Sequence, residues 1–247
     1  MMATGGYVDA AGVNTYYEVE GDGEPLLLLH GGFVTIETWS AQRAALAEHF
    51  RVYLPERRGH GRTADVPGST GYDLMARDTV AVMEAVGIPS AHVVGWSDGG
   101  VVGLEIALDR PDLVRKLVLI GTPAHVDGQT AATLEWAHNV TPDDMAPYRE
   151  PYDRLSPDGP DHFQVVFDKL TELWRTEPRH EMSELARITA PTLILMGDND
   201  VPTLEHAAQM KRAIRNAQLA VVPGASHGLM FEKPELVNGL ILGFLAE

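Results

Sequence analysis

Hydrophobic positions along this chain fall into short unbroken runs separated by stretches of helical spacing. Residues 26–29, 52–54, 93–94, 117–120, 193–196 and 219–222 are such runs. Runs of this kind, too short for helices, suit strands buried on both faces of a parallel sheet. Two partly alternating arms, 7–9 and 13–19, flank Ala10-Ala11-Gly12 and predict an antiparallel hairpin at a sheet edge. Between the runs, residues 39–50 place Trp39, Leu46 and Phe50 on one face of a predicted helix. Residues 73–86 repeat Met75, Thr79, Val82 and Val86 at helical spacing and stop at Gly87-Ile88-Pro89. Further helices are predicted over 101–108, stopped by Pro111, over 204–214 with Thr203 as its cap, and after Pro234.

The spacing of the runs carries information of its own. Predicted strand starts lie 24 to 41 residues apart except between Leu117 and Leu193, where the gap is 76. That is too long for one crossover helix and predicts an inserted cap over residues 123–181, with a core formed by 1–122 and 182–247. Six prolines between Pro142 and Pro178 divide the insert into short helices, such as 130–140 and 161–176. Trp136, Met145, Tyr148, Phe163, Phe167 and Trp174 are its large apolar side chains, available either to face a substrate or to fasten the insert to the core.

Composition narrows the picture. At 247 residues the chain fits one large domain or a domain with a lid. The start, Met1 to Gly6, lacks a basic region followed by an apolar stretch, and no apolar run approaches bilayer length, so a cytoplasmic protein with no membrane partner is expected. With no cysteine there is neither a disulfide framework nor a thiol nucleophile. A net charge of −16 argues against nucleic acid and anionic membranes as partners, and favours neutral or cationic small molecules slightly. A homo-oligomer is left open.

The candidate chemistry sits where the apolar run 93–94 enters Gly95-Trp96-Ser97-Asp98-Gly99-Gly100 and a helical pattern leaves it. Glycines two residues either side of a serine let a strand reverse sharply into a helix and expose one hydroxyl. The run 26–29 ends in His30-Gly31-Gly32-Phe33, where a curled backbone can aim an amide at the serine. Gly32, or alternatively Phe33, would then complete an oxyanion hole with the amide of Asp98. A serine nucleophile also needs a base and an acid to orient it. His227, after the last strand, follows the order Ser…Asp…His; Asp198 and Asp200, in Gly197-Asp198-Asn199-Asp200, both offer the acid. Two carboxylates without a third ligand make a poor metal site, so neither metal nor cofactor is expected.

His30-Gly31-Gly32, Arg58-Gly59-His60-Gly61-Arg62 and Gly95-Trp96-Ser97-Asp98-Gly99-Gly100, in this order, resemble the α/β-hydrolase superfamily over nearly the whole chain. The chain departs from the usual pattern at Glu56, commonly aspartate, and Thr63, often serine. The resemblance implies a mostly parallel eight-stranded sheet flanked by helices, with a small helical cap. It places the acid three residues after a glycine, on Asp200, and so implies a Ser97, Asp200, His227 triad cleaving a small ester. Phe33, Trp96, Asp98, Trp136 and Met230 are the expected substrate contacts. Lactonases, C–C bond hydrolases and cofactor-free haloperoxidases share the scaffold, and a non-catalytic receptor is the alternative from another class. The Trp-Ser-Asp-Gly-Gly run is also similar to the valacyclovir-hydrolase-like group, in which the acid after the serine is associated with a substrate amine.

Overall fold

In the computed structural model, which describes residues 4–247, eight strands form one sheet in the order β1-β2-β4-β3-β5-β6-β7-β8. Met1 to Ala3, where the signal-peptide reading and the expected core begin, lie outside the described residues. The strands are β1 (Thr4–Ala10), β2 (Val13–Glu20), β3 (Glu24–Leu29), β4 (Phe50–Pro55), β5 (Ala91–Trp96), β6 (Val114–Ile120), β7 (Thr192–Asn199) and β8 (Ala217–Ser226). β1 and β2 form the predicted edge hairpin, and β2 runs antiparallel to β4; every other pairing is parallel.

The unbroken apolar runs now have a physical explanation. Successive side chains of a strand point to opposite faces, and this sheet is covered on both. Leu27, Leu29, Val93, Leu117, Leu119 and Ile194 pack on one face, whereas Leu26, Leu28, Val94, Val118, Ile120 and Leu193 pack on the other. The first face carries α2 (Tyr72–Val86), α3 (Asp98–Asp109) and α7 (Leu204–Ala213). The second carries α1 (Arg43–Ala47), α8 (Leu229–Glu232) and α9 (Pro234–Ala246). Thr203 caps α7 as expected, its hydroxyl accepting from the His206 amide at 3.1 Å.

Two expected elements differ. The helix predicted over 39–50 is a 3₁₀ turn (Ile36–Trp39) followed by the five-residue α1, and Phe50 opens β4 opposite Glu24. Trp39 and Leu46 do share a buried face, but Phe50 gains a strand pairing that helical continuation would forfeit. The last strand, expected to end at Val222, continues through Pro223 and Gly224 to Ser226. It pairs only with β7, and an edge strand tolerates proline because one side makes no ladder.

Between β6 and β7 the chain forms α4 (Ala131–Asn139), α5 (Ala146–Leu155) and α6 (Phe163–Thr176). Tyr152, Phe163, Val166, Phe167 and Leu170 join the same apolar cluster as α2 and α3, so this segment has no separate core. Polar ties add to the packing. Lys169 and His162 both reach Asp65 (2.7 and 2.9 Å), and His180 reaches Glu105 at 2.6 Å. Among the described residues no helix is long and apolar enough to cross a membrane.

Candidate active site

The turn at Ser97 is built by backbone constraint. Ser97 has φ 55° and ψ −123°, a left-handed conformation that non-glycine residues adopt only under strain. Its amide donates to Ile120 at 2.8 Å, fixing the end of β5, and its carbonyl accepts from Gly100 and Val101 to start α3. The turn is tight enough that a Cβ on Gly99 would overlap the Leu29 carbonyl, and one on Gly95 would overlap that of Gly99. The two glycines flanking Ser97 are therefore required by close approach of backbone to backbone. As the first residue of α3, Asp98 has an amide with no intrahelical partner.

The loop after β3 lies against this turn. Gly31 packs on the Trp96 indole and Ser97 Cβ, and Gly32 packs on the Asp98 carboxylate and Trp174. His30 is buried and neutral: Nδ1 donates to the Gly31 carbonyl (2.8 Å), Nε2 accepts from the Arg57 amide (3.2 Å), and burial holds its pKa well below the ordinary value. The buried Arg57 guanidinium donates to the His30 carbonyl and, at 2.9 Å, to that of Gly31, while burial lowers its pKa to about 10. Glu56 binds the Arg62 amide and guanidinium at 2.5 and 2.7 Å. A Cβ on Gly61 would overlap its carboxyl group, so Glu56 braces this loop away from the cavity.

His227 follows β8, and its Nδ1 lies 2.6 Å from Asp200 Oδ1. The Asp200 side chain is wholly buried and also accepts from the amides of Gly197 (3.0 Å) and Val201 (2.7 Å). Asp198 points away, taking the Ala225 amide and the Asn199 side chain instead. Of the two carboxylates that the sequence offers, it is Asp200 that meets the imidazole. Trp96 steadies the same loop, its Nε1 donating to the His227 carbonyl at 2.9 Å and its ring lying 5.3 Å from the imidazole. Gly121, at the end of β6, has φ 57°, and a Cβ there would stand 2.8 Å from His227 Nδ1.

Ser97, His227, Gly32 and Asp98 share one cavity of about 360 Å³. Trp96 and Trp136, both expected contacts, line it as well, together with Met145, Tyr148 and Trp174 from the inserted segment. Phe33 and Met230 require correction. Phe33 is not among the cavity walls; its ring packs between Phe163, Phe167 and Trp174 and fastens the insert to the core. Met230 is fully buried among the residues of the opposite face, and its carbonyl accepts from Gln42. Neither difference was visible in the sequence, because an apolar residue beside a motif can turn toward the core as readily as toward a cavity.

Sequence reasoning missed the surroundings of Asp98. This residue is only 4% exposed, and its carboxylate accepts from Tyr72 Oη at 2.9 Å and Trp174 Nε1 at 3.0 Å. Burial raises its pKa, opposed by nearby Arg57 and by these two donors. Tyr72 stands at the start of α2 and Trp174 near the end of α6, so three elements converge on one carboxylate. No local pattern joins positions so far apart; only the tyrosine and tryptophan donors, which need partners when buried, hinted at it.

Known proteins share this architecture. A model of the alpha/beta hydrolase family matches residues 26–240. The pimeloyl-[acyl-carrier protein] methyl ester esterase of Nitrosospira multiformis is 30% identical over 258 residues, covering 94% of this chain and 98% of its own. A protein of Azorhizobium caulinodans, named provisionally as the carbamate hydrolase RutD, is 27% identical over 266 residues, 98% of each chain. A variant of the meta-cleavage product hydrolase CumD from Pseudomonas fluorescens IP01 shares the fold, with a TM-score of 0.84 at 24% identity over 98% of this chain and 97% of that one. The family match spans most of the sequence and agrees with the strand order and the serine turn: this chain is a hydrolase and belongs to the alpha/beta hydrolase family.

Proposed function

We propose that the protein is a serine hydrolase that cleaves a small carboxylic ester, or a related acyl bond, through an acyl-enzyme intermediate. The observation that carries this reading is the 2.6 Å His227–Asp200 pair opening on the cavity that also holds the strained Ser97. Asp200 keeps the proton of His227 on Nδ1 and leaves Nε2 as the base. Ser97 Oγ attacks the acyl carbonyl, Nε2 takes its proton and passes it to the departing alcohol, and water then releases the acid by the same route in reverse. The amides of Gly32 and Asp98 hold the developing oxyanion, each contributing about 3 kcal/mol of transition-state stabilisation. We assign residues 123–181 the part of a cap that shapes the substrate cavity.

A cavity of about 360 Å³ suits a small acyl group and a small alcohol, near the lower end of ligand-pocket sizes. The relatives named above are described as hydrolases of a methyl ester, a carbamate and a meta-cleavage product, so the scaffold alone does not choose among them. Hydrolysis of p-nitrophenyl acetate and butyrate is the direct test, with labelling of Ser97 by a serine-directed organophosphate as its chemical counterpart. An unreactive Ser97 would remove the reading, and tight ligand binding without turnover would replace it with a receptor.

A further inference from the structure

The cavity walls are chemically lopsided. Asp98, Asp144 and Glu177 line the cavity, and among the described residues no lysine or arginine does. Tyr72, Trp96, Trp136, Tyr148 and Trp174 supply aromatic surface. The three carboxylates differ in what they already hold. Asp98 is turned to Tyr72 and Trp174, with Arg57 close enough for its charge to be felt. Asp144 closes its own turn, accepting from the Thr141 amide and hydroxyl at 2.9 and 2.7 Å. Glu177 accepts one amide, that of Tyr72, at 3.3 Å, and among the described residues no salt bridge reaches it. His180, whose charge is felt at Glu177, is paired with Glu105 instead.

Trp174 and Glu177, three residues apart at the end of α6, both line the cavity, and Trp136 lies beside Trp174, with ring centroids 5.6 Å apart and planes 34° apart. Trp136 remains 44% exposed. A neutral substrate covering this corner would strip water from Glu177 and return nothing; an anion would be repelled. A cation offsets that desolvation and gains the attraction of the indole faces.

We infer that the substrate carries an ammonium group, received at a subsite formed by Glu177 and the indoles of Trp136 and Trp174. The inference rests on the ester-hydrolase reading, and it moves the expected amine contact away from Asp98, whose carboxylate is occupied by donors of the protein.

The test separates binding from turnover. Tryptophan fluorescence titrations compare choline with its uncharged isostere 3,3-dimethylbutan-1-ol, and hydrolysis assays compare acetylcholine with 3,3-dimethylbutyl acetate. The cation of each pair is expected to be favoured about tenfold, as charge–aromatic attraction beside a carboxylate predicts. Glu177→Gln should reduce the charged-to-neutral ratio of kcat/KM about fivefold. Trp136→Leu, at an exposed position that does not endanger folding, should reduce it about threefold. Equal handling of charged and neutral partners, or a ratio unmoved in both variants, would overturn the subsite while leaving the ester-hydrolase reading intact. Conversely, cation-selective binding with an organophosphate-inert Ser97 would sink the hydrolase reading and retain the subsite.

Discussion

The two sides of the cavity are made by different means. On the core side, Ser97, Gly32, Asp200 and His227 are held by strand ends, left-handed backbone and buried hydrogen bonds. On the side of the inserted segment, Trp136 and Tyr148 come from short helices and Met145 from the proline-containing turn before α5, while ion pairs of Lys169 and His180 tie the segment to the core. Backbone-set geometry leaves little freedom for substitution, whereas side chains on short helices can change without moving the reacting groups. On the function proposed above, the chemistry belongs to the core side and the choice of substrate to the insert. Asp98 is the exception, since its amide faces the proposed oxyanion and its carboxylate fastens Trp174 of the insert.

The comparison can be broken most sharply at Ser97. Ser97→Ala should lower kcat on p-nitrophenyl acetate by about 10⁴ to 10⁶, with the fold unchanged by circular dichroism; near-normal turnover would show that the core side does not perform the chemistry. Gly121→Ala should come next. A Cβ 2.8 Å from His227 Nδ1, on a backbone with φ 57°, displaces the imidazole from Asp200. A fall in kcat of about 10- to 100-fold with little change in KM is expected, because small misplacements of a base are costly. An unchanged kcat would mean that the strand end tolerates movement and that the two sides are less distinct.

Trp174→Phe probes the joint between the sides. It keeps the packing against Phe33 and removes the donor to the buried Asp98, so unfolding should become easier by about 1–2 kcal/mol in urea titration. Stability equal to wild type would mean that the joint carries no energy. The smallest effect is at the exit of the insert, where His180 meets Glu105 and its pKa is raised, chiefly by that hydrogen bond. A raised folded-state pKa gives stability that is full below the unfolded value of about 6.5 and lost as pH rises through the folded one. The Tm advantage of wild type over His180→Gln should accordingly be largest near about pH 5 and shrink toward about pH 9. A gap that widens with pH would contradict the pairing.

Much of this division was legible before any coordinates. Serine between glycines after an apolar run marked the turn, because only such a sequence lets strand and helix backbones approach so closely. The long interval between Leu117 and Leu193 announced an interruption in the strand series, and α4 to α6 occupy it. Less legible was anything depending on direction. Phe33 and Met230 read as cavity residues but turn inward, and the stretch 39–50 read as one helix although a strand claims its end. Periodicity reports which positions are apolar, and several burial partners satisfy the same pattern.

The sequence by itself determined the sheet and its order of strands and helices, the turn at Ser97 and the position of His227 after the last strand. Each follows from local constraints: apolar run length, glycine at close approaches, and chain order. Only the tertiary structure decided that Asp200 rather than Asp198 meets His227, that Tyr72 and Trp174 occupy the Asp98 carboxylate, and that Glu177 lines the cavity with no salt bridge among the described residues. The reason is that hydrogen-bond partnership depends on side chains brought together from distant strands and helices, and adjacency in sequence does not encode which of two neighbouring carboxylates will be turned toward a partner more than twenty residues away.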